Sequence, residues 1–410
     1  MPEPFIFDTG ARFATGRKLR SESVFQYLNR SAEVPAGEVR DLIERWYAAF
    51  PDDGKADIRG RLRSGEASAF DSGFHELCLH DTLSQLGLNA ELHPALAKST
   101  KNPDFLVHGD APGDFYLEAV APTDVADPGA RQRAAVLLDG LDAKLENANY
   151  WLSITVEQYS SQTGSPKKFR QFVEKALADL PEAPLTIGAG LAEQLEPRRF
   201  EYNEDGWIVE LAGFPKAEML RGKAGLGAIG MEFSRFEDVI VHQRLRNVLE
   251  KKSKKYGSLD LPFVIAVNTN ELLGDEHELL IALFGIGATP IRNGMTRDKL
   301  ESTLPHDGLW IKAATPRNTQ VSGVLFTRKI SAANLGSATG TLYLNPWATL
   351  PYKGALTQLP TAVFSTDGGY ETRADQSLLD VLQLPPGWPS WPIEPSDAET
   401  PGDDATPATT

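Results

Sequence analysis

The chain has 410 residues, of which 41% are hydrophobic and 24% charged, a composition typical of a globular protein and not of a disordered one. Its formal net charge of −15 argues against a protein that coats nucleic acid with its whole surface, but it is compatible with a local basic groove. The single cysteine, Cys78, excludes a disulfide within the chain and favours a cytoplasmic protein. Because the sequence lacks a leader pattern and any run of about 18 apolar residues, we expect no signal peptide and no membrane partner.

The first 65 residues are predicted to form a helical lead-in. Within Val39–Phe50, the apolar residues Leu42, Trp46 and Phe50 recur every four positions, which indicates an amphipathic helix. A small basic cluster follows at 58–63. We interpret it as part of a helix that packs on the next domain, with a nucleic-acid contact as the alternative.

Residues 66–160 are predicted to form one α/β core. A helix is expected over 70–86, ended by Gly87. Three short strands follow in the predictions, and then come a helix and a strand with alternating residues. The predicted strands and helix are 90–93, 105–108, 115–120, the helix 130–147 and the strand 150–159.

Three acidic residues stand at informative places in this core, namely Glu76 in the first helix, Asp104 before the second strand and Glu118 in the third. A hairpin between the second and third strands would bring Asp104 and Glu118 together. Clustered carboxylates repel each other unless a proton or cation lies between them, and Mg²⁺ or Mn²⁺ prefers such oxygen ligands. The alternative is that all three are ordinary solvated acids.

This order of elements, with Pro103-Asp104 and Glu118-Ala119, resembles the PD-(D/E)xK, or restriction-endonuclease-like, nuclease superfamily. The resemblance implies an αβββαβ core, with Asp104, Glu118 and Glu76 as metal ligands and catalytic acids. Val120 stands where the family has its lysine, so a basic or polar residue from elsewhere, commonly the next helix, would replace it. The candidates are Arg131, Gln132, Arg133 and Lys144, with Lys98 and Lys101 as further options.

Residues 161–383 are predicted to be a large mixed α/β C-terminal extension, and 384–410 a Pro-rich disordered tail. A strongly apolar strand is expected at 261–268. The helical stretch 239–256 before it is rich in cations, which predicts either a solvated face or a phosphate-contacting stripe. Its candidate nucleic-acid-binding residues are Arg244, Arg246, Lys251, Lys252, Lys254 and Lys255.

The function expected from the resemblance is metal-dependent hydrolysis of phosphodiester bonds in DNA. Val120 keeps a second hypothesis open, an inactive nuclease-fold protein that binds nucleic acid or a protein partner, including another copy of itself. An unrelated hydrolase site around Asn268, Asn270 and Glu271 is a third. A zinc-protease site is disfavoured because His75 and His80 are five residues apart, about 140° around a helix, where H-E-x-x-H requires four.

Overall fold

The structure is a computed structural model. It describes residues 5–97, 99–109, 113–122, 128–142, 145, 147–181, 197–223, 229–234, 241–270, 274–286, 291–292, 307–364, 369–385 and 387–390. None of the helices in these ranges combines the length and the apolar character needed to cross a membrane.

The helices of the described ranges alternate with strands after an all-helical start. They are α1 (Val24–Arg30), α2 (Val34–Ala49), α3 (Asp52–Arg63), α4 (Ala67–Gln85), α5 (Pro128–Asp142), α6 (Pro166–Ala178), α7 (Val241–Ser253), α8 (Glu276–Phe284) and α9 (Leu378–Val381). The helical lead-in and the helix before Gly87 are therefore confirmed. Gly87 has a positive φ of 76° at the end of α4, a conformation in which glycine is favoured.

The strands form two larger sheets and one small hairpin. They are β1 (Asn89–Leu92), β2 (Phe105–His108), β3 (Phe115–Val120), β4 (Tyr150–Gln158), β5 (Arg198–Glu204), β6 (Trp207–Pro215), β7 (Ile229–Ser234), β8 (Phe263–Thr269), β9 (Ile291–Arg292), β10 (Ile311–Lys312), β11 (Thr315–Pro316), β12 (Gly323–Arg328), β13 (Thr339–Leu344), β14 (Thr361–Phe364) and β15 (Gly369–Arg373). The three strands predicted after α4 are confirmed, the second and third with their exact bounds.

The central sheet has the strand order β1-β2-β3-β8-β12-β13-β14-β15-β9. Strands β1, β2 and β3 form an antiparallel meander, and β8 lies parallel to both β3 and β12. Helix α4 packs on one face, where its Phe74 shares an apolar cluster with Leu117 of β3. Helices α7 and α8 pack on the opposite face, where Leu245 and Leu283 share a cluster with Ile265 of β8. The sheet is therefore covered on both sides around β3 and β8.

The last strand of the predicted core does not join the central sheet. Strand β4 was expected to complete the core, but it pairs with β6 and β7 in a separate sheet of order β5-β6-β4-β7. Every residue of β8 is buried, whereas β4 has half-buried residues at Trp151, Thr155 and Glu157 and ends at the exposed Gln158. A strand between two helical layers must be largely apolar on both faces, and of these two strands β8 meets that condition.

The four-stranded sheet is inserted in the chain between β3 and α7. Helices α5 and α6 cover one of its faces, and their Leu137 and Phe169 pack with Ile154 and Trp207 of the sheet. The central sheet consequently combines strands from both sides of residue 160. The tail predicted to be disordered from residue 384 is partly packed, because Leu384 and Trp388 lie against the core. Residues 391–410 lie outside the described residues.

Candidate functional site

The β2–β3 hairpin brings Asp104 next to Glu118, as predicted. Phe105 pairs with Leu117 in the antiparallel register, so Asp104, one residue earlier, stands opposite Glu118, one residue later. Cross-strand partners in an antiparallel pair have side chains on the same face of the sheet. The Asp104 carboxylate also accepts a hydrogen bond of 2.7 Å from the backbone N–H of Ala119, which fixes it beside the Glu118 peptide unit.

Glu118 is fully buried and is surrounded by hydrogen-bond donors from α7 and the residues that follow it. The ammonium group of Lys252 lies 2.5 Å from Glu118 Oε1, and that of Lys255 lies 2.8 Å from the same oxygen. The hydroxyl of Tyr256 donates to the other carboxylate oxygen, Oε2. A buried carboxylate is tolerated when it is paired and fully hydrogen-bonded, and these three donors meet that requirement for Glu118 on the α7 face.

Asp104 is held in a less favourable environment. Its pKa is raised from 3.8 to about 6, first by burial and then by the negative charges of Glu118 and Glu76, while Lys252 and the Ala119 N–H oppose the rise. Asp104 therefore interacts electrostatically with both of the other predicted acids. A carboxyl group with a raised pKa beside other carboxylates and a lysine is a common feature of catalytic sites.

Glu76 lies on α4 and is paired with a residue that the sequence did not single out. Its carboxylate accepts a hydrogen bond of 2.7 Å from the guanidinium of Arg61 on α3, and Arg61 also pairs with Asp57 at 2.8 Å. Burial raises the pKa of Glu76, and Arg61 works against that rise. The basic cluster at 58–63 was the only sequence signal for Arg61, and it could not indicate which acid the arginine would meet.

The residues of α5 that were expected to replace the missing lysine are engaged elsewhere. Gln132 donates to the backbone oxygen of Ser21, and Arg133 donates to that of Ser160. Arg131, on the same helix, is exposed. This expectation is corrected because α5 covers the inserted four-stranded sheet, and the helix that packs over Glu118 is α7. Lys144 and Lys98 lie outside the described residues, and Lys101 is exposed.

The six cations predicted to contact nucleic acid are divided among several surroundings, so α7 does not present one uninterrupted phosphate-binding stripe. Lys252 and Lys255 reach inward to Glu118. Arg246 pairs with Asp307 at 3.2 Å, lining a small polar pocket that also contains Glu250, and Lys254 pairs with Glu250 at 2.6 Å. The two remaining cations of the set are Lys251, which is exposed, and Arg244, which is half-buried.

Of the competing sites considered from sequence, the described residues His75 and Asn268 have structural roles. His75 is buried, burial lowers its pKa to about 3, and it faces Thr327 at 3.4 Å. Cys78 is buried in the core, where burial raises its pKa. The Asn268 amide exchanges hydrogen bonds of 3.0 and 3.2 Å with the backbone of Ile330, so it secures a loop, and Glu271 lies outside the described residues.

Across the described ranges, no group of three or more His, Cys, Asp or Glu side chains is arranged to hold a metal ion. Comparisons of the chain with protein-family models, with curated proteins and with solved structures gave no match. Function is therefore inferred from the chemistry of the side chains around Glu118.

Proposed function

We propose that the protein is a metal-dependent nuclease of the PD-(D/E)xK type that hydrolyses phosphodiester bonds in DNA. The observation that carries this proposal is the contact of Lys252 with Glu118, next to Asp104 on the same face of the sheet. With Lys252 beside the two acids, the site has a lysine to replace the one that the motif would have at the position of Val120. The order α4-β1-β2-β3, followed after the insertion by α7-β8, also agrees with an αβββαβ core.

Lys252 is the best candidate to replace the lysine of the motif. Its ammonium group lies 2.5 Å from Glu118 and 3.5 Å from the backbone oxygen of Ala119, and Ala119 directly precedes Val120. An ammonium group at this place can stabilise the negative charge that develops on a reacting phosphate and can orient a water molecule. Lys255, on the same carboxylate oxygen, adds a second positive charge for a phosphate oxygen.

Asp104 and Glu118 are the residues that would hold a metal ion. Mg²⁺ is commonly bound by only one or two carboxylates, with water and substrate phosphate as the other ligands, so this pair is chemically suitable without a third protein ligand. A bound Mg²⁺ or Mn²⁺ supplies a water of lowered pKa and stabilises the leaving oxygen. The raised pKa of Asp104 fits such a site, because a cation would relieve the repulsion between the carboxylates. Glu76 adds negative charge from α4.

The test is cleavage of plasmid and linear DNA with Mg²⁺ or Mn²⁺ by the wild-type protein and by three variants. Asp104→Ala and Glu118→Ala should abolish cleavage, and Lys252→Met should lower its rate about 100-fold or more, as expected for losing a group that stabilises developing charge. Lys254→Met is the matched control, because Lys254 lies on the same stretch of chain but pairs with Glu250. Equal rates for wild type, Asp104→Ala and Lys252→Met would overturn the proposal.

A nuclease-fold protein that binds nucleic acid or protein without cleaving it is the second candidate. It is favoured by the saturation of Glu118, whose two oxygens already accept hydrogen bonds from Lys252, Lys255 and Tyr256. In that case wild type would not cleave DNA with either metal. DNA binding that weakens steeply with salt would then indicate a nucleic-acid partner, whereas salt-insensitive association with a protein would indicate a protein partner.

A further inference from the structure

We propose that Tyr256 is a positioning residue that sets the orientation of Glu118 and its placement relative to Asp104. This inference rests on the proposed nuclease function and deepens it, because it assigns a role to a residue outside the acid and lysine set. Tyr256 would not touch the substrate. It would act through the carboxylate that holds the metal ion.

The first line of support is the division of the Glu118 carboxylate between two kinds of partner. Both lysines approach Oε1, while Oε2 accepts a hydrogen bond, among the residues that the structure describes, only from the hydroxyl of Tyr256. The last torsion of a glutamate side chain is broad and has no sharp staggered minima. A donor on each oxygen therefore fixes the plane of the carboxylate, which a metal ion requires to bind with defined geometry.

The second line of support is that Tyr256 is the rigid partner of the three. Its side chain is only 4% exposed, and its ring packs edge-on against Phe263 with the centroids 5.7 Å apart. Lysine side chains have four rotatable carbon–carbon bonds and are partly exposed here. Of the donors to Glu118, the tyrosine hydroxyl is therefore the one whose position is determined by packing.

Tyr256 also contacts the segment that carries Asp104, although its single hydroxyl proton is donated to Glu118. The tyrosine hydroxyl lies 3.0 Å from the backbone oxygen of Asn102, and the Asn102 amide donates to the backbone oxygen of His93 at 2.9 Å. The N–H of His93 in turn donates to the backbone oxygen of Asp104 at 3.0 Å.

His93 itself has a positive φ of 46°. This conformation is uncommon for a residue that is not glycine and is maintained here by contacts on both sides. The side chain that orients Glu118 therefore also packs against the turn before Asp104. Residues that orient metal ligands through hydrogen bonds typically contribute 10- to 100-fold to metal affinity or activity.

The experiment compares Tyr256→Phe with wild type and with Tyr352→Phe. Tyr352 is a matched control because it is also buried and packs edge-on against a phenylalanine, Phe115. Its hydroxyl oxygen accepts a hydrogen bond from the backbone N–H of Leu356. Two quantities are measured for each protein: the Mn²⁺ concentration that gives half-maximal DNA cleavage, and the Mn²⁺ dissociation constant from calorimetry without DNA. Thermal unfolding is recorded in parallel.

We expect both Mn²⁺ constants to rise about 10- to 100-fold in Tyr256→Phe, whereas Tyr352→Phe keeps the wild-type constants even where its unfolding temperature falls. A purely structural role for the Tyr256 hydroxyl would change unfolding in both variants and the metal constants in neither. Mn²⁺ constants of Tyr256→Phe within twofold of wild type, or below it, would overturn the inference while leaving an active wild type as evidence for the nuclease. A wild-type protein that neither binds Mn²⁺ nor cleaves DNA would overturn both.

Discussion

Replacing Asp104 by asparagine should stabilise the protein at neutral pH while abolishing DNA cleavage. The pKa of Asp104 is raised from 3.8 to about 6, chiefly by burial and then by Glu118 and Glu76. One pKa unit corresponds to about 1.4 kcal/mol, so ionised Asp104 costs the folded protein about 3 kcal/mol. Asparagine has a similar shape, and its amide oxygen can keep the hydrogen bond from Ala119. We therefore expect the free energy of unfolding at pH 7.5 to rise by about 1–3 kcal/mol.

The expected gain has a definite dependence on pH. Because the pKa of Asp104 is higher in the folded than in the unfolded chain, the folded state binds the proton more tightly. Wild type consequently loses stability as the pH rises from about 4 to about 6. Asparagine does not titrate, so the advantage of Asp104→Asn should be complete above about pH 6 and absent near pH 4.

Urea unfolding followed by circular dichroism at pH 4 and pH 7.5 measures this difference. Asp71→Asn is the control, because burial alone raises the pKa of Asp71 on α4, also to about 6. That variant should gain stability over the same pH range and should still cleave DNA. The paired result would separate a buried acid with a proposed catalytic role from a buried acid without one.

Two results would refute this reasoning. A stability gain for Asp104→Asn that is the same at pH 4 and pH 7.5, or a loss at pH 7.5, would show that ionisation of Asp104 does not burden the folded state. Wild-type cleavage by Asp104→Asn would remove Asp104 from the proposed site, whatever its effect on stability.

Two further substitutions test the surroundings of the site and the packing of the chain near its last described residues. Arg61→Met leaves buried Glu76 without its cation, so the free energy of unfolding should fall by about 2 kcal/mol. Because loss of Arg61 raises the pKa of Glu76 further, this loss of stability should be larger at pH 8 than at pH 5. An equal loss of stability at both pH values would contradict the pairing of Arg61 with Glu76. Gly336→Ala would place a methyl group 1.5 Å from the backbone oxygen of Trp388, so we expect the free energy of unfolding, measured in urea, to fall by about 1–3 kcal/mol. A variant as stable as wild type would show that the segment with Trp388 does not pack against Gly336.

The sequence alone determined the local elements and part of the candidate site. The spacing of Leu42 and Trp46 predicted α2, and Gly87 marked the end of α4, because helix periodicity and a left-handed cap are properties of neighbouring residues. The hairpin that brings Asp104 to Glu118 was predictable for the same reason, since its strands and turn are contiguous in the chain.

Only the tertiary structure decided which strand and which cation accompany Glu118. Strand β8 pairs with β3, and Lys252 reaches Glu118 from 134 residues away. Parallel pairing and such distant ion pairs depend on how whole layers pack. Because the four-stranded sheet is inserted between β3 and α7, the sequence did not indicate that α7 packs over β3. Burial is likewise a property of the packed chain. It raises the pKa of Asp104, and Asp104 has no such surroundings in the unfolded polypeptide.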